Sequence, residues 1–330
     1  MNSYKNILLI NFGGIGDEIL FLPVIQGLKK SYPNAKINLC LEGRSSAFLD
    51  LTNFVDNSFF VDIKTKNKYL EMLKFYFKVL VGKYDLVISS GGNTLISLFL
   101  FFTGIKTRIG YKTSKLSENL LTYAVPLNKN QYASNMYFDL IKPISDVEFE
   151  LPKINVEEFD KIQNSVLIHP GVSKISIAKN ITKTINADKW AELIKLLLKK
   201  DKKVYLAGGP DDVECIQQIR EKLKNIDLSN FVDMFGKTKN IFELVQLIKK
   251  SEVLICSDSA PMHIGVATNT KTIAIFGPTD DELLLPKSDK FFAIKNDVSC
   301  RPCLWAKRQT TCDKLDCLNI DLIKILFYCK

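Results

Sequence analysis

The sequence predicts an α/β protein made of two Rossmann-like, doubly wound parallel sheets that face each other across a cleft. Short β-branched runs alternate with amphipathic segments along the whole chain, which is typical of parallel strands covered by helices on both faces. The length of 330 residues also exceeds one ordinary hydrophobic core. These two observations favour two domains of similar size and construction.

Ten segments carry the strand pattern. They are NILLINF, KINLCLE, SFFVDI, DLVISS and TRIGY in the first half, and SVLIH, KVYLAGG, FVDMFG, EVLICS and KTIAIFG in the second. Between the halves, Lys142 to Asn164 has little periodicity and contains two prolines, so we interpret it as a linker. The first domain is therefore expected at residues 1–155 and the second from residue 156 to about residue 318.

The composition is that of an ordinary globular protein, with 46% apolar and 25% charged residues. The longest apolar cluster, Leu95 to Phe102, is much shorter than a membrane span. The first residues fit a β-strand better than a signal peptide, so we expect a cytoplasmic protein.

The net charge of +9 is concentrated after residue 160. The first 160 residues contain 18 basic and 16 acidic side chains, whereas the remainder contains 27 and 20. An excess of this kind attracts nucleic acid, a phosphorylated ligand or an anionic membrane, and it also simply favours solubility. Charge alone leaves these alternatives open.

Parallel sheets bind ligands beyond the carboxyl ends of their strands, so the residues directly after each strand are the candidate site. After the first strand come Gly13, Gly14, Gly16 and Asp17, which begin a helical pattern. This turn is similar to a dinucleotide fingerprint, but Ile19 stands where the third glycine is needed. A tight structural connection is the alternative. Asp17 is either a helix cap or a general base for an incoming hydroxyl.

In the second half, the strand ending at His169 is followed by a loop that contains Lys174, Lys179 and Lys183. These lysines either neutralise a phosphate or lie in solvent. A later strand ends at Gly208 and Gly209, with acidic residues directly after them. Those acids suit a ribose diol or a simple turn.

The segment SDSAPMHIGVA comes after another apolar strand and combines small residues with the start of a helix. Ser259, Ala260 and Gly265 let the backbone approach a ligand closely, and Pro261 suits the first helical turn. The free amides of that turn form an anion site, to which His263 can donate a hydrogen bond. The alternative for His263 is a buried histidine satisfied by the backbone.

Four cysteines near the end of the chain have the spacing Cys-x2-Cys-x8-Cys-x4-Cys. The first pair has the spacing of a metal knuckle, which suggests a structural zinc or iron site, with reduced thiols or labile disulfides as alternatives. The candidate ligands are Cys300, Cys303, Cys312 and Cys317.

Seven segments together resemble the lipopolysaccharide heptosyltransferase family, glycosyltransferase family 9. They are GGIGDEILFLPVIQGLKKSYPNAKI, KTRIGY, LIHPGVSK, KTINADKWAEL, GGPDD, CSDSAPMHIGVA and IFGPT. The resemblance covers nearly the whole chain and implies the GT-B fold, with an acceptor-binding first domain and a nucleotide-sugar-binding second domain. It also implies that a last helix, at residues 319–330, returns toward the first domain.

The resemblance implies an inverting transfer of a heptose or related sugar, from ADP-heptose, to a hydroxyl of lipopolysaccharide core or of a protein. No cofactor or nucleic-acid partner is implied. Asp17 is the implied base, near the loop of Gly13, Gly14 and Gly16. The implied donor-binding residues are Gly171, Val172, Ser173, Lys183, Asp211, Glu214, Asp258, Ser259, Ala260 and His263. Lys179 is a rival for the phosphate-binding role, because the loop before Lys183 is long.

Two other functions are compatible with two Rossmann-like domains, namely a nucleotide-dependent oxidoreductase or epimerase and a non-catalytic sugar-nucleotide-binding protein. The absence of Asp-x-Asp from the sequence leaves Lys183 and the helix that starts near Ser259 to neutralise a departing diphosphate. The segment KTKNKYLEMLKFYFKVLVGK and the apolar Leu95–Phe102 suggest peripheral contact with the inner membrane; the alternative is an ordinary solvated and buried surface.

Overall fold

The computed structural model describes residues 3–62, 68–173, 176, 178–304, 312 and 314–329. The chain divides into two compact units, of which unit 1 ends at Lys153 and unit 2 begins at Ile154. Each unit contains one six-stranded sheet. The two predicted sheets are therefore confirmed.

Unit 1 alternates strands and helices from its first element to its fifth helix. Its elements are β1 (Asn6–Ile10), α1 (Ile15–Ser31), β2 (Lys36–Leu41), a 3-10 helix (Gly43–Leu51), β3 (Asn57–Phe60), α2 (Lys68–Val81), β4 (Leu86–Ser89), α3 (Thr94–Phe102), β5 (Thr107–Lys112), α4 (Lys115–Leu120), β6 (Tyr123–Pro126), α5 (Ala133–Phe138) and a 3-10 helix (Asp139–Ile141).

Unit 2 repeats this alternation. Its described elements are β7 (Ile162–His169), α6 (Ala187–Leu198), β8 (Lys203–Leu206), a 3-10 helix (Pro210–Asp212), α7 (Val213–Leu223), β9 (Phe231–Asp233), α8 (Ile241–Lys250), β10 (Ser251–Ser257), α9 (Ala260–Ala267), β11 (Lys271–Phe276), α10 (Asp281–Leu284), β12 (Phe291–Lys295), a 3-10 helix (Asp316–Leu318) and α11 (Leu322–Tyr328).

Both sheets have the same strand order. Unit 1 runs β3-β2-β1-β4-β5-β6, and unit 2 runs β9-β8-β7-β10-β11-β12 when read in the same direction. All neighbouring strands are parallel. The order reverses beside the first strand of each unit, between β1 and β4 and between β7 and β10. Ligands bind at such switch points in doubly wound sheets, which directs attention to the residues after these four strands.

The central strands are buried because their side chains are apolar on both faces. Leu8 and Leu9, which are neighbours in β1 and point to opposite faces, are both fully buried. In unit 2, the core under α6 contains Trp190 and Leu193 together with Ile255 of β10. The strands are therefore held firmly, and the loops at their carboxyl ends extend from a rigid scaffold.

One strand in each unit was not predicted from the sequence. These strands, β6 and β12, are the last of their units and each lies at an edge of its sheet. β6 is only four residues long and ends at a proline, which is compatible with an edge but weakens the strand pattern. The helix α11 buries Leu322 and Ile325 in the core of unit 2. Its expected return toward unit 1 stays a prediction.

The apolar cluster Leu95–Phe102 lies in α3, which is nine residues long. Within the described part of the chain, no helix combines the length and the apolar character needed to cross a membrane.

Candidate functional site

The turn after β1 places Asp17 in the first turn of α1. The Asp17 carboxylate accepts a hydrogen bond from the Gly14 backbone N–H at 2.7 Å, and the carboxylate is exposed. A Cβ atom at Gly13 would lie 2.3 Å from Cβ of Asp17, so only glycine fits there. The predicted capping role of Asp17 is therefore seen directly, and its exposure leaves the carboxylate accessible to a substrate.

The other charged side chains at this end of unit 1 come from the residues after β2. Arg44 pairs through Nε with the buried carboxylate of Glu42. Its Nη1 atom lies 3.2 Å from the position that a Cβ atom on Gly14 would occupy. Glu18, the residue after Asp17, faces inward and is fully buried. Unit 1 thus brings three carboxyl groups and one guanidinium together near the switch point of its sheet.

Unit 2 contains a cavity of about 630 Å³ at the carboxyl ends of β7 and β8. This volume is within the usual range for small-molecule and cofactor sites. The residues that line the cavity include five of the predicted donor-binding residues, namely Gly171, Val172, Lys183, Asp211 and Glu214. Residues 180–187 form another part of the wall, and Lys314, Leu315, Leu318 and Asn319 complete it from the end of the chain.

Asp212 fixes the two loops that form the floor of this cavity. Its carboxylate accepts the Gly209 N–H at 2.7 Å and also a hydrogen bond from the Val172 backbone. A Cβ atom at Gly171 would lie 1.9 Å from Oδ1 of Asp212, so the loop after β7 can approach this carboxylate only with glycine. Burial raises the pKa of Asp212 to about 6. The negative charge of Asp211 also raises this pKa, whereas the hydrogen bonds from the two N–H groups lower it.

Lys183 joins the cavity to the start of α9. It lines the cavity, and its Nζ atom lies 2.9 Å from Oδ2 of Asp258, which is 3% exposed. Burial by itself would raise the pKa of Asp258, but the adjacent Lys183 ammonium, with Thr279 and His263, lowers the pKa below its ordinary value. The carboxylate is therefore charged, and the lysine is held between an internal anion and the cavity.

A hydroxyl network supports the backbone of this loop. The Thr184 hydroxyl donates to the Pro170 carbonyl at 2.7 Å, and it accepts from Trp190 Nε1 at 3.0 Å and from Ser257 Oγ at 2.8 Å. The network ties the ends of β7 and β10 to α6. Consequently Lys183, the residue before Thr184, projects from a fixed backbone.

The helix α9 begins at Ala260, with Ser259 as its N-cap residue. The Ser259 side chain makes no capping hydrogen bond. His263 is buried on this helix and interacts electrostatically with Asp258. Gly265 has a packing role, because a Cβ atom there would lie 2.2 Å from Oγ1 of Thr272 on β11. The small residue at 265 therefore brings the helix close to the sheet rather than close to a ligand.

The structure thus separates the predicted donor-binding residues into two groups that Lys183 connects. One group lines the cavity, and the other, with Asp258, Ser259, Ala260 and His263, lies at the start of α9. Ser173 is exposed and its hydroxyl lies 3.1 Å from that of Ser176. Lys179 is exposed, whereas Lys183 lines the cavity. The predicted Lys174, Lys64 and Lys66 and the side chain of Lys68 lie outside the described residues.

The four cysteines of the expected metal site do not form one in the structure. Cys303 and Cys317 interact electrostatically with each other and with Cys300 and Cys312, so the thiols are neighbours. Even so, the described ranges contain no group of three or more histidine, cysteine or acidic side chains that could hold a metal ion. Burial, followed by the neighbouring thiols, raises the pKa of Cys303 and of Cys317.

A buried arginine explains part of the local structure of the cysteine segment. Arg301 donates hydrogen bonds to the carbonyl oxygens of Gly277 and Thr279 and to the carboxylate of Asp281. These contacts anchor the segment to the loop after β11. The described residues thus provide no support for the zinc or iron site, which stays a prediction.

Several residues that shape the site were not predicted from the sequence, including Glu18, Arg44, Thr184 and Ser257, and Asp212 was expected only as an acid for a ribose diol or a turn. Their roles depend on contacts between residues far apart in sequence, which periodicity does not reveal. The one available signal was glycine: Gly171 and Gly209 both lie against Asp212.

Comparison with known proteins gives a consistent result. Residues 72–314 match the family described as glycosyltransferase family 9 (heptosyltransferase). Lipopolysaccharide heptosyltransferase 3 of Escherichia coli is 26% identical over 295 residues, which are 83% of this chain and 84% of that protein. Lipooligosaccharide heptosyltransferase 2 of Haemophilus influenzae is 27% identical over 312 residues, 88% of each chain.

Among solved structures, the E. coli ADP-heptose lps heptosyltransferase II matches with a TM-score of 0.71 at 20% identity, over 98% of each chain. This likeness confirms the fold that the sequence motifs implied.

Proposed function

Because the chain belongs to glycosyltransferase family 9, the heptosyltransferase family, we propose that it transfers a heptose or related sugar from ADP-heptose to a hydroxyl of lipopolysaccharide core. The chain is a glycosyltransferase by this membership, which replaces the oxidoreductase alternative. The observation that carries the donor assignment is the 630 Å³ cavity lined by Lys183 and by the loops after β7 and β8. The E. coli and H. influenzae relatives supply the proposed sugar and acceptor.

The cavity of unit 2 would hold the nucleoside of the donor. Asp211 and Glu214 line it and offer carboxylate oxygens to ribose hydroxyls. Gly171 and Val172 bring backbone close to the nucleotide, and Asp212 keeps that backbone in place. The buried Asp212 thus acts as a support for the loops rather than as a ribose ligand.

The diphosphate of the donor would lie between Lys183 and the first turn of α9. Lys183 supplies a positive charge, and the amides at Ser259 and Ala260 face an incoming anion at the positive end of the helix. Both features stabilise a leaving diphosphate as its charge develops. This position also explains why Lys183, rather than the exposed Lys179, is the proposed phosphate ligand.

In the proposed reaction, the Asp17 carboxylate takes the proton of the acceptor hydroxyl. The hydroxyl oxygen attacks the anomeric carbon of the donor sugar from the face opposite the diphosphate, and the bond to the diphosphate oxygen breaks. The sugar is transferred with inversion, and the nucleoside diphosphate leaves as an anion. Asp17 is exposed and held by the Gly14 N–H, which are the properties that this role requires.

The experiment that tests this function measures ADP release and sugar transfer with ADP-heptose and isolated lipopolysaccharide core. Asp17→Asn and Asp17→Ala are expected to lower kcat by about 100- to 10,000-fold, because general-base catalysis typically contributes this much. Binding of donor to both variants, measured by calorimetry, is expected to be unchanged.

Near-normal turnover of Asp17→Asn would remove Asp17 from the role of base. Donor binding by the unaltered chain without turnover on lipopolysaccharide core or on candidate protein acceptors would favour a sugar-nucleotide-binding protein. Turnover on a protein acceptor alone would replace the lipid acceptor.

We also propose that unit 1 contacts a membrane surface through α2 and α3. The exposed side chains of these helices include Leu73 at 52%, Phe77 at 57% and Leu95 at 75%. Lys74 and Lys78 flank them on α2. Exposed apolar side chains with basic side chains beside them in sequence favour an anionic bilayer, where a lipid-linked acceptor resides.

A further inference from the structure

Glu18 is the most deeply buried acidic side chain near the proposed base. It is fully buried, and neither carboxyl oxygen has a hydrogen-bond partner of ordinary geometry among the described residues. Buried charges are normally paired or hydrogen-bonded, because an uncompensated carboxylate is costly in a protein interior. The position therefore favours Glu18 as a neutral acid.

The charged and titratable groups around Glu18 come from four elements. Asp17 precedes it on α1, Cys40 lies on β2, Glu42 and Arg44 come after β2, and Tyr137 lies on α5. Burial raises the pKa of Glu18 to about 8; the charges of Asp17 and Glu42 add to this effect, whereas Asn11 and Arg44 oppose it.

Glu42, another buried acid of this cluster, has the cationic partner that Glu18 lacks in the described part of the chain. Its carboxylate is also buried, but Arg44 pairs with it directly through Nε. The single arginine of this cluster is thus already engaged by one acid. Ionised Glu18 would add a third negative charge to the group of Asp17, Glu42 and Arg44, with no second cation among these described neighbours.

Glu18 is mechanically linked to Asp17 because both lie in the first turn of α1. The Glu18 N–H donates to the Gly14 carbonyl at 3.1 Å, and the Gly14 N–H donates to Asp17 at 2.7 Å. The Asn11 side chain contacts the Asp17 carbonyl at 3.4 Å and also approaches Glu18. Any rearrangement that hydrates the Glu18 carboxylate must disturb this turn.

We propose that Glu18 is a positioning residue, whose neutral buried side chain holds the first turn of α1, and with it Asp17, in the arrangement used for transfer. Ionisation of Glu18 in mildly alkaline solution releases the turn and slows transfer. The inference rests on the proposed function for its catalytic consequence, but its structural consequence can be measured without any substrate.

The first test compares the pH dependence of stability in the unaltered chain and in Glu18→Gln, by chemical unfolding of the full chain. The folded state keeps the proton of Glu18 up to about pH 8, whereas the unfolded chain loses it near the ordinary value of 4.5. The stabilisation that protonated Glu18 gives to the folded chain is therefore fully present below pH 4.5 and decreases as the pH rises from 4.5 to about 8. Above pH 8 this contribution no longer changes with pH.

Between pH 4.5 and about pH 8, the unfolding equilibrium constant of unit 1 is expected to rise by up to about tenfold per pH unit in the unaltered chain, relative to Glu18→Gln. Glu18→Met, which conserves the volume of the side chain, gives the same comparison if the glutamine variant does not fold. Glu118→Gln, at an exposed site of the same unit, is the matched control and is expected to follow the unaltered chain.

The second test measures hydrogen exchange of the peptide that spans residues 13–20. Protection of the Gly14 amide is expected to fall at least about tenfold in the unaltered chain, relative to Glu18→Gln, between pH 7 and pH 9. In parallel, kcat should fall by about tenfold per pH unit above pH 8 in the unaltered chain and should not do so in Glu18→Gln.

An alkaline decrease of kcat that is identical in both proteins would overturn the proposal, as would protection of Gly14 that is independent of residue 18. A difference in stability between the unaltered chain and Glu18→Gln, with no difference in Gly14 protection or in kcat, also overturns the proposal. The burial of Glu18 would then have no effect on Asp17. Failure of the proposed function would instead appear as absence of transfer at every pH, with the exchange result still deciding the role of Glu18.

Discussion

In the proposed site Lys183 binds two anions, the diphosphate of the donor and Asp258, of which Asp258 is already present in the folded chain. Asp258 is buried and depends on the Lys183 ammonium at 2.9 Å, so removal of the lysine leaves an unpaired carboxylate in the interior. Loss of stability and loss of donor binding would therefore occur together in a simple alanine variant. A second substitution is needed to separate them.

Lys183→Ala is expected to lower the free energy of unfolding of unit 2 by about 3–5 kcal/mol, because it breaks a buried ion pair. It should also weaken donor binding by about 10- to 100-fold, through the loss of a charge-assisted hydrogen bond. Adding Asp258→Asn should restore most of the stability but not the affinity, as measured by chemical unfolding and calorimetry.

Lys179→Ala is the matched control on the same loop, and its affinity and stability should stay close to those of the unaltered chain. A larger loss of affinity in this control than in Lys183→Ala would transfer the phosphate-binding role to Lys179.

Because of Asp212, the free energy of unfolding of unit 2 is expected to depend on pH in the acid range. Its pKa is raised from 3.8 to about 6, so the stability it contributes is complete below 3.8 and is lost as the pH rises toward 6. The free energy of unfolding should therefore fall by about 3 kcal/mol more in the unaltered chain than in Asp212→Asn over this range. Chemical unfolding at several pH values measures the difference.

Asp211→Asn, one residue away and exposed, is the comparison variant and should retain most of the slope, because the Asp211 charge raises the pKa of Asp212 less than burial does. If Asp212→Asn has the same slope as the unaltered chain, the carboxylate is not the titrating group.

At the scale of elements, α2 and α3 differ from ordinary surface helices in how much apolar area they expose. The Leu73→Ser/Phe77→Ser variant is expected to reduce co-sedimentation with phosphatidylglycerol-containing vesicles by about tenfold or more, because two apolar side chains no longer enter the bilayer. The physical basis is the exposure of both residues on α2.

The control is Ile323→Ser/Phe327→Ser, which removes from α11 in unit 2 two apolar side chains that are more exposed than Leu73 and Phe77. Equal loss of vesicle binding in both variants would mean that exposed apolar side chains promote binding wherever they lie on the protein. The proposal that α2 and α3 form the membrane-binding surface would then fail.

The strands were predictable from sequence where both faces are buried, because apolar runs such as EVLIC in β10 need no partner to be recognised. The edge strand β6 was missed since an edge tolerates a short sequence that ends in proline, whereas the apolar run FFAIK of β12 was overlooked. In the site, Asp17 and the start of α9 could be predicted because they come directly after strands. Asp212 and Glu18 could not be interpreted, because their protonation depends on burial by residues distant in sequence.

At the scale of the whole molecule, the two units share one strand order but differ in the loop after their first strand. In unit 1 a glycine turn presents Asp17, and in unit 2 a glycine loop lines a cavity. The difference fits the two chemical tasks that we propose for the units, although both have the same fold. Ligand effects on stability should consequently be specific to one unit.

ADP-heptose at 100 times its Kd is expected to stabilise unit 2 by about 2.7 kcal/mol, which corresponds to a rise in Tm of about 5 to 10 °C. GDP- and UDP-sugars should produce smaller shifts if adenine is preferred. Differential scanning calorimetry resolves the transitions of the two units, and the transition of unit 1 should be unaffected. A shift confined to unit 1 would contradict the donor assignment.

The ion pair of Lys183 and Asp258 has a consequence for turnover. The lysine already has an internal counter-ion, so in the proposed mechanism the diphosphate of the donor competes with Asp258 for it, and a weakly held anion such as inorganic phosphate gains little. After transfer, the same carboxylate is positioned to reclaim the lysine as the nucleoside diphosphate departs. A side chain that reduces the affinity for substrate would thereby help the enzyme to release its product and begin the next cycle.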